Sequence, residues 1–162
     1  RCHLGTCLEV IAEIEKWITD SNDCHILWLN GPAGSGKSAI SQTIAEHYAA
    51  QKQIAASFFF SRGTGWRSTI EYLIPTLAYQ ISMFDPAAKS VLIDTMRNEP
   101  NLHHGQALYH QLVKLLINPI QATGLELSKI TIIIDALDEC NDKGLISKFI
   151  KAIVDISNTP NL

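Results

Sequence analysis

The sequence predicts an α/β layered domain in which helices cover both faces of a parallel sheet, and three observations lead there. Short apolar runs at residues 26–30, 54–60 and 130–134 lack polar alternation, as strands buried on both sides do. Longer segments between them carry apolar residues at helical period. A glycine-rich loop joins the first run to a helical segment, the start of a β-α-β alternation. With 162 residues, 46% of them hydrophobic and 18% charged, one domain with one core is expected.

Taken in order, residues 6–17 place Leu8, Ile11, Ile14 and, just beyond, Ile18 at helical spacing, with Glu9, Glu13, Glu15 and Lys16 opposite. Thr6 is the expected cap of this helix, with Glu9 at the capping-box position. Residues 19–24 read as a polar turn, and 26–30 as a buried strand with Trp28 in the core. From 37 to 51, Ile40, Ile44, Ala45 and Tyr48 recur with helical period; 54–60 is the second strand, its Phe58, Phe59 and Phe60 core residues. Helices are expected over 69–84 despite Pro75, over 86–97, and over 106–117 with Leu108, Leu112, Leu115 and Leu116 on one side. The third strand is 130–134 and the closing helix 144–156. No internal repeat or low-complexity segment occurs. A parallel sheet of this kind binds ligands beyond the carboxyl ends of its strands, here after Asn30, Phe60 and Ile134.

Composition narrows the classes of function. Thirteen basic against sixteen acidic residues give a net charge of −3 and a pI near 6.0, with no basic stretch to neutralise a duplex, so nucleic acid is not an expected partner. The apolar runs are far shorter than the roughly 20 residues that span a bilayer. A cytoplasmic protein with no membrane span is expected. Cys2, Cys7, Cys24 and Cys140 form no C-x-x-C pair, so reduced thiols are expected and zinc is not. His103 and His104 read as a polar turn. The first residue is Arg1 and residues 159–162 carry no helix-stop signal, so the chain reads as an excerpt of a longer one.

Gly31, Pro32, Ala33, Gly34, Ser35, Gly36, Lys37 and Ser38 fit G-x-x-x-x-G-K-[ST], between a predicted strand and a predicted helix. Gly31 and Gly36 permit close backbone approach, so successive N–H groups can face phosphate oxygens, and the helix adds its positive end. Lys37 supplies a cation to the β- and γ-phosphates and Ser38 a hydroxyl to Mg²⁺; Ala39 completes the nucleotide-contacting stretch. At the third strand's end, Asp135 is the candidate metal-holding acid, the alternative being a cap on the next turn. Glu139 or Asp138 could orient or deprotonate an attacking water, or be solvated loop carboxylates. Lys37, Asp138 and Glu139 are thus the candidate catalytic residues. Arg62 and Arg67, near the second strand's exit, could reach a phosphate, the alternative being an ion pair there.

G-P-A-G-S-G-K-S at 31–38, F-F-F-S-R at 58–62, L-I-P-T-L-A-Y-Q at 73–80 and I-I-I-D-A-L-D-E-C at 132–140 together resemble the NACHT domain of fungal NLR-like receptors, in the STAND class of P-loop NTPases. The resemblance covers nearly the whole chain. It implies a P-loop three-layer sandwich with residues 1–24 as a helical lead-in and 25–162 as the partial core. It implies ATP/ADP and Mg²⁺ as cofactors, slow hydrolysis, self-association controlled by nucleotide, and an N-terminal effector and C-terminal sensor in the same polypeptide. Gly31, Gly34, Gly36, Lys37 and Ser38 would hold phosphates and Mg²⁺, Asp135 the metal, and Asp138 and Glu139 would support hydrolysis. Cys7 stands where the family often has an arginine near the adenine. The family's next strand, which ends in a sensor arginine and lies between the P-loop strand and the Walker B strand, does not occur by residue 162; a sheet truncated before this sensor strand is expected to be marginally stable.

Two other functions compete with a switch. A small-molecule kinase would need basic residues for an acceptor phosphate and a mobile lid, yet only four arginines occur, Arg1, Arg62, Arg67 and Arg97. A nucleotide-binding scaffold that never hydrolyses would share every residue of the loop. The absence of N-K-x-D argues against a GTPase, and that of L-S-G-G-Q against a transporter ATPase.

Overall fold

The computed structural model describes residues 1–3, 5–20, 25–102, 107–124 and 130–158. The expectations for 21–24, for His103 and His104, for the helix start at Gln106 and for 159–162 lie outside the described residues. The chain runs α1 (Leu8–Thr19), α2 (Lys37–Ala50), β1 (Ile54–Phe59), α3 (Leu73–Phe84), α4 (Pro86–Asn98), α5 (Leu108–Leu112), a π-helical turn (Val113–Ile117), α6 (Asn118–Ala122), β2 (Thr131–Asp135) and α7 (Lys143–Ser157). It is a mixed α/β fold, mostly helical, around a small parallel sheet. Among the described residues no helix is long and apolar enough to cross a membrane.

The sheet has two strands, β1 and β2, in register from Ile54 opposite Thr131 to Phe59 opposite Asp135. One residue of β1 is extra between Ile54 and Ala56. That bulge reverses the alternation, because one added residue turns every side chain beyond it to the other face. Ile54 accordingly packs with Ile133 in one apolar cluster, whereas Ala56, Phe58 and Phe60 join Ile132 and Ile134 in another.

The larger cluster holds Leu73, Ile74, Leu77 and Ile81 of α3, Leu112, Leu115 and Leu116, and Phe149 of α7. The smaller is built on Ile40, Ile44 and Tyr48 of α2, with Val10, Ile11, Ile14 and Ile18 of α1 laid against them. Each fully buried side chain of this size contributes about 1.5–3 kcal/mol. Burial pushes the Tyr48 hydroxyl above its ordinary pKa, and the Glu15 carboxylate adds to the effect.

Several local expectations are corrected. Residues 26–30 belong to no ladder, and Trp28 is 61% exposed although Leu29 packs on the smaller cluster. A strand requires a neighbour for its peptide groups; β1 and β2 pair with each other, and no described strand lies beside 26–30. Thr6 does not cap α1: its hydroxyl donates to the His3 carbonyl at 2.7 Å, and Cys7, at φ 59°, takes the cap position. Leu8 then points outward, 63% exposed. Residues 65–72 form short 3₁₀ turns, so α3 begins at Leu73 and Pro75 falls in its first turn, where a missing N–H costs nothing. The helical stretch from Leu108 extends to Ala122. Pro119 offers no N–H to the Leu115 carbonyl and its ring crowds it; the preceding turn widens, with the Asn118 N–H bonded five residues back to Val113.

Side chains complete the remaining ends and edges. Asp85 accepts the Ala87 N–H at 2.8 Å to cap α4, and Asp142 accepts the Leu145 N–H at 2.8 Å to cap α7. The Gln80 amide covers the outer edge of β1, accepting the Ser57 N–H at 2.8 Å and donating to the Ser57 carbonyl at 2.9 Å. Across the sheet, the Thr131 N–H and the Asp135 carbonyl bond toward the β1 side. By the alternation of a parallel ladder, the peptide groups of Ile132 and Ile134 face the opposite edge.

Candidate functional site

The glycine loop leaves the unladdered segment through Gly31, whose N–H donates to Asn30 Oδ1 at 2.8 Å. A turn closed by the Ser35 N–H on the Pro32 carbonyl follows, 3.2 Å. Gly34 and Gly36 adopt φ 79° and 87°, a region side chains disfavour. At Gly31 the restriction is space: a Cβ there would stand 3.0 Å from Ser35 Oγ. The loop delivers the chain into α2 with Gly36 at the cap position and no side-chain acceptor for the helix's first N–H groups. A helix of 14 residues that starts uncapped next to exposed Pro32, Ala33, Gly34 and Ser35 offers its N–H groups and positive end to an anion.

Lys37 Nζ donates to the Gly31 carbonyl at 2.8 Å and to the Pro32 carbonyl at 2.9 Å. The ammonium is thus held over the loop by groups of the loop itself. Ser38 is exposed, and the Ala39 carbonyl accepts the Thr43 hydroxyl at 2.8 Å. At the tip of β2, Asp135 is 8% exposed, and its Oδ1 accepts the Ser41 hydroxyl at 3.2 Å. Ser41 follows Ser38 by three residues and shares its side of α2, so the fold brings the carboxylate beside the helix that the loop opens.

The other two carboxylates point elsewhere. Glu139 Oε2 accepts the Arg62 backbone N–H at 2.8 Å, and the Asp138 carbonyl accepts Lys143 Nζ while its carboxylate is exposed. The segments after β1 and after β2 are strapped together, the Asn141 N–H meeting the Ser68 carbonyl at 2.8 Å and its amide the Ser68 hydroxyl at 3.0 Å. Neither expected arginine ion pair is found among the described residues: Arg62 meets Glu139 through its backbone, and the Arg67 guanidinium lies 5.2 Å from the Trp66 ring centroid. Among the described residues no cluster of three or more His, Cys, Asp or Glu could hold a metal ion. A cation between Ser38 and Asp135 would take its remaining ligands from phosphate and water, which suits Mg²⁺.

Residues 5–162 match the family described as Nephrocystin 3, N-terminal. The chain belongs to this family. No curated protein and no solved structure matches it. The nephrocystin 3 N-terminal match takes in the glycine loop, Asp135 and Glu139 alike.

Sequence reading of this family member missed Ser41, whose signal was its place one helical turn beyond Ser38. Cys7 Sγ lies 3.8 Å from where a Cβ on Gly36 would stand. A hydrogen bond to Cys2 holds the Cys7 thiol above its ordinary pKa, with burial adding to the shift.

Proposed function

We propose that this chain is the ATP/ADP-binding core of a signalling switch of the NACHT type, a P-loop three-layer sandwich with slow Mg²⁺-dependent hydrolysis and nucleotide-controlled self-association. Residues 1–24 are its lead-in and 25–162 its core. The observation that carries the reading is the glycine cradle at 31–36 on the uncapped start of α2, with the buried Asp135 carboxylate bonded to that same helix.

In this reading the backbone from Gly31 to Ala39 surrounds the phosphates, and Lys37 exchanges the carbonyls of Gly31 and Pro32 for phosphate oxygens. Ser38 and Asp135 hold Mg²⁺, which supplies charge neutralisation at the β- and γ-phosphates when bound. Glu139, assisted by Asp138, orients the attacking water once its carboxylate leaves the Arg62 N–H. The fungal NLR-like character, the effector and sensor partners and the cytoplasmic location belong to the same proposal and rest on the motifs quoted above. A second reading, a nucleotide-binding scaffold without hydrolysis, is favoured by the bond that engages Glu139 at the β1 exit.

The test is thermal stabilisation by ATP, ADP and GTP with Mg²⁺, read beside phosphate release. Ligand binding to the folded form alone stabilises by about 2.7 kcal/mol at roughly a hundredfold excess over Kd. Adenine nucleotides are expected to raise the midpoint of the natural chain and to leave Lys37→Ala unmoved. Stabilisation without phosphate release selects the scaffold, and no shift with any nucleotide overturns both readings.

A further inference from the structure

The outer edge of β1 is closed at two places and open between them. Gln80 takes both peptide groups of Ser57, and the Ser61 N–H donates to the Arg67 carbonyl at 3.1 Å. The Phe60 N–H bonds the Asp135 carbonyl at 3.1 Å, so Phe58 and Phe60 face β2, and by alternation the N–H and carbonyl of Phe59 face outward with Ser57 and Ser61. Among the described residues nothing meets that Phe59 pair. A cavity of about 200 Å³ lies there, and its lining includes Ser57, Phe59, Trp66, Arg67, Thr76 and Gln80. Thr76 stands one helical turn before Gln80 on the same side of α3, and Phe59 two residues beyond Ser57. Both steps span about 6 Å, so Thr76 falls to Phe59 as Gln80 does to Ser57. Its side chain is too short to repeat the Gln80 clasp, and the cavity is the space left over.

We propose that this cavity binds a small planar amide, an aromatic carboxamide or ring lactam that also carries a carboxylate. The chemistry follows from what the edge leaves unsatisfied. One N–H and one carbonyl of the same residue call for an acceptor and a donor side by side, as the Gln80 carboxamide supplies them at Ser57. A trans peptide points its two groups in opposite directions, and an added strand is stopped by Gln80 at one end and by the Arg67 backbone at the other. The volume is below the roughly 300–1,000 Å³ of sites for drug-sized ligands, which leaves room for a single ring. That ring meets the exposed indole of Trp66, which is itself propped edge-on against Phe58. The Arg67 guanidinium, exposed and 5.2 Å from the same indole's centroid, has no carboxylate partner among the described residues and takes the ligand's own. The site uses neither the glycine loop nor Asp135, so it stands independently of the nucleotide reading.

The probe is meta-carbamoylbenzoate, titrated into the isotope-labelled chain while the backbone amide resonance of Phe59 and the indole N–H of Trp66 are followed. Both are expected to shift saturably at millimolar probe. Two relatives separate the contacts: meta-acetylbenzoate keeps the size and the acceptor but cannot donate to the Phe59 carbonyl, and benzamide lacks the carboxylate. Each is expected to bind about threefold to tenfold more weakly, and Arg67→Gln is expected to remove the difference between the probe and benzamide. Thr76→Gln places a second carboxamide over Phe59 and is expected to abolish binding with no fall in melting midpoint. The site is overturned by the absence of a saturable shift, by shifts that leave Phe59 unmoved, by equal binding of the acetyl compound, or by a folded Thr76→Gln that binds as before. Benzamide binding as tightly as the probe overturns the role of Arg67.

Discussion

Asp135 and Ser41 are 94 positions apart in sequence, and their bond fixes how a buried carboxylate faces the loop. Ser41→Ala leaves Asp135 Oδ1 without that donor and is expected to cost about 1–2 kcal/mol of stability. A purely structural role would end there. As a positioning residue, Ser41 should also raise the Mg²⁺ concentration needed for half of the ATP-induced stabilisation, with Ser41→Thr restoring both. A titration of melting midpoint against Mg²⁺ checks this, and an unchanged Mg²⁺ requirement in the alanine variant removes the role. The loop residues themselves were legible because each does one thing that few residue types can do: glycines turn with positive φ, and Lys37 carries a compact charge. Ser41 was not, because a serine on a helix has many ordinary uses and its partner becomes visible only when β2 is docked.

Gln80 shows how an element can depend on one side chain. β1 has β2 on one side, and on the other the Gln80 amide takes both peptide groups of Ser57. Gln80→Ala exposes that edge and removes two hydrogen bonds, so a loss of about 1–3 kcal/mol is expected in urea unfolding, with Gln80→Glu intermediate because a carboxylate accepts but cannot donate. No change in the alanine variant would mean water replaces the amide without cost. Helix α2 could be read from sequence, since Ile40, Ile44, Ala45 and Tyr48 all turn inward as their spacing requires. The run at 26–30 could not, because strand formation is decided by what lies alongside, and apolar composition says nothing of that. The π-helical turn before Pro119 was likewise hidden: proline marks a disturbance, but whether the helix stops or widens depends on the packing of Leu115 and Leu116.

At the scale of the molecule, β1 and β2 separate two apolar clusters, and the bulge at Ala55 assigns Ile54 to one and its neighbours to the other. The alternation of strands and helices, and so the mixed α/β class, was legible; the strand count was not. β2 pairs only with β1 among the described residues, leaving the edge carried by Ile132 and Ile134 without a strand. Uncharged β-branched edges of this kind template further pairing. Association through this edge, separate from the proposed nucleotide-controlled self-association, is therefore expected in sedimentation as protein concentration rises in the absence of nucleotide, and a single monomeric species across the range would show that edge to be covered. The placement of the aromatic residues has an optical consequence. The chain has three tryptophans: Trp28 and Trp66 are exposed by 61% and 49%, and Trp17 is only partly covered. Their indoles already meet water in the native state, so unfolding changes the colour of the emission little, whereas anything that settles over Trp28 shifts it to the blue.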